Sequence, residues 1–86
     1  MINAKSHPVG WALMLTELED AQEHLSNLVK QMDAAGGIEE EDFAVQLGHV
    51  YAHLNRIWHA RNEEEGLKEE QWSEFSQFPK DLKPVG

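Results

Sequence analysis

The sequence predicts an all-α fold: a long antiparallel helical hairpin plus a short C-terminal helix, with two copies pairing as a homodimeric four-helix bundle. Three observations carry that prediction. Apolar residues recur at heptad spacing on both sides of a Gly36-Gly37 break. Only a few residues join the two periodic stretches, so the helices must fold back on each other. Their apolar arcs are also broader than a single seam, which asks for a further layer of helix.

Ser6-His7-Pro8 opens the first helix, with Ser6 as the expected N-cap and proline in the first turn, where its missing N–H costs nothing. Trp11, Met14, Leu18, Ala21, Leu25, Leu28, Met32 and Ala35 then alternate spacings of three and four, an a/d seam that Leu15 and Val29 widen on one flank. Gly36, free to adopt the left-handed conformation, ends the helix. The expected span is about 8–35.

Acids in a first turn complement the positive end of a helix dipole, and Glu39-Glu40-Glu41-Asp42 supplies them. Phe43, Leu47, Val50, Leu54 and Ile57 continue at spacings of four and three, while Ala44, Tyr51 and Trp58 lie seven apart on the flank. The second helix is expected over about 39–64. Gly48 inside it costs helix propensity, and either close approach by another helix or simple toleration accounts for it. Running the seams antiparallel pairs Met32 with Phe43, Leu28 with Leu47, Leu25 with Val50, Ala21 with Leu54, and Leu18 with Ile57. Arg61 and Glu64 fall where apolar residues would continue, which reads as the end of the bundle.

Past Glu63-Glu64-Glu65-Gly66 the composition changes. Leu67, Trp72, Phe75 and Phe78 are apolar, and Lys68 to Gln77 reads as a short third helix stopped by Pro79. The rest is an extended tail. The chain therefore divides into a hairpin, residues 1–66, and a short helix with tail, residues 67–86, within one domain.

Eighty-six residues lie near the size at which a single core is hard to stabilise, and without cysteine there is no disulfide or thiolate-metal staple. A one-layer core comes out close to break-even, and a second copy removes the difficulty. A three-helix monomer is the alternative, but the tail has too few apolar residues to cover both long helices. The start has no apolar run long enough for a signal peptide, and no stretch is long enough to span a membrane, so the expected location is cytoplasmic. Sixteen acids against seven Lys and Arg give a net charge of −9. That balance argues against nucleic acid and anionic membrane as partners.

Chemistry is sparsely advertised. His49 and His53, four apart on one helical face, have metal-ligand spacing, and Asp42, Gln46, Arg56 and Glu63 fall near that face. His49, His53 and Glu63 are the metal candidates, but their face lies off the apolar stripe and reads first as a solvated surface. Glu17 and Asp20 have the one-turn spacing of magnesium-binding carboxylates, without a basic residue placed to receive a phosphate. The serines lack a base-and-orienter set, so no catalytic residue and no cofactor are expected. The leading expectation is a non-enzymatic interaction or regulatory module that self-associates and binds a protein partner. Its candidate contact residues are Trp11, Leu13, Tyr51, Trp58, Trp72 and Phe75, since exposed aromatics concentrate binding energy. The alternatives are a metal-binding bundle or small-molecule enzyme built on His49 and His53, and an acidic mimic of nucleic acid.

Overall fold

The computed structural model describes residues 1–63 and 68–86. Helix α1 spans Pro8–Ala35 and helix α2 spans Glu40–Ala60; a 3-10 turn at Glu69–Gln71 leads into the single-turn helix α3, Trp72–Phe75. No strand occurs among the described residues, and none of their helices is long and apolar enough to cross a membrane. The expected bounds of α1 hold. Helix α2 stops at Ala60, and the expected last residue Glu64 lies outside the described residues, as does the Gly66–Leu67 boundary between hairpin and tail. The third helix is shorter than the Lys68–Gln77 reading.

Local chemistry explains the ends. Gly36 turns left-handed at φ 69°, and its N–H closes α1 on the Met32 carbonyl at 2.9 Å. At the other end Ser6 is not the cap. Its N–H donates to Asn3 Oδ1 at 2.8 Å, so Ser6 sits inside a turn organised by the asparagine side chain, and His7 occupies the cap position. Glu40, Glu41 and Asp42 fill the first turn of α2 as expected.

Helices α1 and α2 lie against each other along their length, but not through the whole predicted seam. Met14, Ala21 and Leu28, one heptad apart, are buried together with Gly10, and Val50 and His53 are buried on α2. The other half of the α1 seam is turned aside. Leu18, Leu25 and Met32 are exposed, as are Leu15 and Val29, and so are Leu47 and Leu54 of α2. The cause is polar: the positions about a quarter-turn round from those leucines are Glu17, His24, Gln31 and their partners on α2, which bond to each other and draw the contact strip toward themselves. Leu18 with Ile57, and Ala21 with Leu54, still share the walls of grooves between the helices, as the antiparallel register requires.

The tail packs on the outer side of α2, within its own chain. Phe75 stacks on His59 with ring centroids 4.7 Å apart, and Phe78 stacks on Tyr51 at 6.3 Å. Pro79 is buried. Trp58 donates its indole N–H to Asp81 at 2.9 Å. Arg61 lies over the Trp58 ring, 3.8 Å from its centroid, and donates to Asp81 at 3.3 Å. The arginine where the apolar spacing fails thus clamps the tail to the helix end.

Gly48 has no packing reason: a Cβ built on it meets nothing within 4 Å. Gly48→Ala should therefore stabilise the protein by about 0.5–1 kcal/mol in urea denaturation, since it removes backbone entropy from the unfolded chain at no steric cost. The Trp58 hydrogen bond, with Arg61 adding to it, holds the Asp81 carboxyl below its ordinary value of 3.8. A depressed carboxyl contributes stability above that ordinary value and loses it as the pH falls through the lower folded one. Tail docking, followed by tryptophan fluorescence, should accordingly weaken on acidification below about pH 4, and the Asp81→Asn variant should lack that step.

Candidate functional site

One edge of the α1–α2 strip is a ladder of three polar rungs. Nearest the hairpin turn, Gln46 Nε2 donates to Gln31 Oε1 at 2.9 Å and to Asp42 Oδ1 at 3.1 Å, and Gln31 donates to Asp42 at 3.2 Å. In the middle His24 of α1 meets His49 and His53 of α2. Their ring centroids are 4.2, 5.4 and 4.9 Å apart; His53 stacks on both other rings, while His24 and His49 are tilted by 38°. Spacing four places His49 above His53 on α2, and the antiparallel register brings His24 level with both.

The third rung is the most enclosed. Glu17 of α1 holds His53 Nδ1 against one oxygen and accepts from Arg56 Nε at 3.2 Å and Nη2 at 3.4 Å, and Arg56 Nη2 also lies 3.2 Å from His53 Nδ1. His53 and Arg56 are buried, at 7% and 5% exposure, and Glu17 is half-buried. Burying an arginine requires a partner for every donor, and the tail supplies the remainder. Arg56 Nη1 donates to Ser76 Oγ at 2.8 Å, and Trp72 covers the guanidinium at 3.9 Å from its ring centroid. Asn55 donates to the Ser76 carbonyl at 2.9 Å. The tail is therefore built into the same network as the inter-helix pair.

A cavity of about 240 Å³ opens beside this rung, lined by Leu13, Met14, Glu17, Asp20, Arg56 and Trp72 among others. Glu17 and Asp20 share its wall, but both Glu17 oxygens are already engaged by His53 and Arg56. They do not present a free carboxylate pair for magnesium, and the cation beside them is satisfied within the chain.

In the histidine rung, desolvation lowers the His49 pKa, and the like charge of His24, His53 and Arg56 adds to the effect against the opposing pull of Asp20. His53 is orientated from one side only. Its Nδ1 faces Glu17, while its Nε2 is buried and has no hydrogen-bond partner among the described residues.

The structure distributes the residues singled out in the sequence over three places. His49 and His53 stand together between the helices, and the third histidine of their cluster is His24; Glu63 lies past the end of α2, where its N–H donates to Ala60, and is not part of the cluster. Leu13 and Trp72 line the polar-side cavity, whereas Trp11 lines an apolar groove on the other face with Ile2, Leu15 and Leu18. Tyr51, Trp58 and Phe75 make the tail contacts described above. Sequence reasoning missed His24 and the Glu17–Arg56 pair. The signal was present: in the register that sets Leu18 against Ile57, Glu17 falls within two residues of Arg56, and His24 falls between His49 and His53.

No known protein family, curated protein or solved structure matches the chain.

Removing Glu17 leaves Arg56 and His53 buried without their shared acceptor. Glu17→Ala should cost about 2–3 kcal/mol in denaturant unfolding, a little under the usual range for a broken buried pair because the carboxylate is partly wetted. Glu19→Ala, on the exposed side of the same helix, should change stability by less than about 0.5 kcal/mol.

Proposed function

We propose that the protein is a non-enzymatic interaction module that self-associates, two copies packing their hairpins into a four-helix bundle. The observation that supports this reading is the apolar face that α1 and α2 hold in common. Leu18, Leu25 and Leu54 are 45%, 42% and 47% exposed, and Leu15, Val29, Met32 and Leu47 extend the face along both helices. At about 100° per residue, these positions lie roughly a quarter-turn from the α1–α2 contact strip and on the same side of the hairpin. Monomeric proteins rarely leave a continuous apolar surface of this extent in water.

A second copy is the occupant that fits. The exposed residues are the unused half of a heptad repeat, and a heptad row is complementary to another of its kind. The grooves between Leu15, Leu18, Leu25 and Leu54 offer holes for leucine knobs of the same spacing. The 21 residues of α2 overlap α1 over about 31 Å. Two helices side by side are about 20 Å wide, giving a footprint of roughly 600 Å² per subunit, which reaches the lower bound of stable interfaces when both sides are counted. The chain's negative charge meets this surface at Glu19, the one charged residue lining that groove. The histidine rung, and the cavity beside the Glu17–Arg56 rung, lie on the polar edge of the hairpin, away from this surface.

Sedimentation equilibrium tests the reading. The wild type should sediment at twice its 9.8 kDa chain mass, and Leu25→Glu or Leu54→Glu should shift it to the monomer with far-UV helicity retained. Each places a charge in a desolvated interface, whereas Val45→Glu, on an outward position that is 71% exposed, should leave the dimer intact. A wild type that stays monomeric at high micromolar concentration would overturn it.

A further inference from the structure

We propose that His24, His49 and His53 form a binding site for one divalent transition-metal ion of the zinc class, with Glu17 as the carboxylate that fixes His53 from behind. The site goes beyond the self-association reading and does not depend on it, because the rings lie on the side of the hairpin away from the leucine face.

The donors are already gathered. One ring nitrogen from each histidine lies within 4.8 Å of the other two. Three nitrogens around a tetrahedral zinc ion, each at 2.0–2.1 Å from it, stand about 3.3 Å apart. Closing that difference needs only side-chain rotation, and His49 is exposed and His24 half-buried, so both are free to turn. The backbone positions come from two packed helices, which hold the set more firmly than a loop would.

The buried histidine is set up in the way a metal ligand is. An ionised Glu17 accepts only, so its close contact with His53 Nδ1 favours the proton on Nδ1; Arg56 Nη2, 3.2 Å from the same nitrogen, then gives its hydrogen to Glu17. The lone pair then belongs to Nε2, the buried nitrogen without a partner. A carboxylate behind a histidine whose other nitrogen is free is the arrangement that fixes tautomer and orientation in metal sites. A buried polar atom left unpaired is uncommon in a folded chain, and an ion shared with His24 and His49 satisfies it.

Electrostatics favours the same occupant. Neutral imidazole is the form that ligates, so binding there competes with protons and releases them. Asp20, one turn before His24, adds negative charge near the open side. Three nitrogens and one open position match a zinc, cobalt, nickel or copper ion, whereas magnesium and calcium prefer oxygen.

Tag-free protein titrated with Co²⁺ and followed by visible absorption, then with Zn²⁺ in competition, tests the site. One equivalent per chain should bind with the absorption bands of a low-coordinate complex, zinc should displace it, and magnesium should not. His49→Gln at an exposed position and His24→Gln at a half-buried one should retain the fold by circular dichroism and lose the one-equivalent complex. Glu17→Gln should weaken zinc binding by about tenfold or more through the loss of the fixing carboxylate. His59→Gln, outside the cluster, should bind like the wild type. A chain that takes up no cobalt equivalent would overturn the proposal, and so would binding that survives in both folded His24 and His49 variants.

Discussion

A helical hairpin offers each helix only one contact strip to its partner, and everything else in this molecule follows from how that strip is used. The strip holds small and medium residues, Gly10, Met14, Ala21 and Leu28 against Val50, flanked on one edge by polar side chains. A leucine row centred on the strip would displace those polar groups into apolar surroundings, where an unpaired arginine or carboxylate costs more than a half-exposed leucine. Pairing the polar edge therefore turns Leu18, Leu25 and Met32 outward. The hairpin becomes two-sided, with a ladder of polar rungs on one face and a leucine surface on the other.

Glu17 is the junction of the polar side. It receives His53 and Arg56 from α2, Arg56 reaches Ser76 in the tail, and Trp72 lies over the same guanidinium. One carboxylate thus ties together α1, α2 and the C-terminal segment. The tail completes the outer side of α2 and leaves α1 uncovered, so it does not supply the missing layer for the leucine face. This division of labour explains why the chain's aromatics, apart from Trp11, gather around α2 and the tail.

Much of the architecture was legible because it rests on local signals. The heptad spacing, Pro8 at the helix start, Gly36 at its end and the acids opening α2 each act within a few residues, and they locate the hairpin. What could not be read was rotation. A repeat that widens to Leu15 and Val29 on one flank does not say which half of the stripe meets the partner helix, since that depends on pairings such as Glu17 with Arg56 across the turn. The face of His49 and His53 looked solvated for the same reason. It lies off the centre of the apolar stripe, and only the rotated contact brings it against His24 and Glu17. Ser6 was misread because Asn3, three residues earlier, captures its N–H.

The central claim is that the leucine face is covered in solution. Methyl resonances of Leu18, Leu25 and Leu54, measured with a soluble paramagnetic probe, test it most directly. Covered by a second copy, they should relax as slowly as Leu28, which is buried between α1 and α2. If they relax as fast as the outward Val45, the face is open to water and the account of the bundle is wrong.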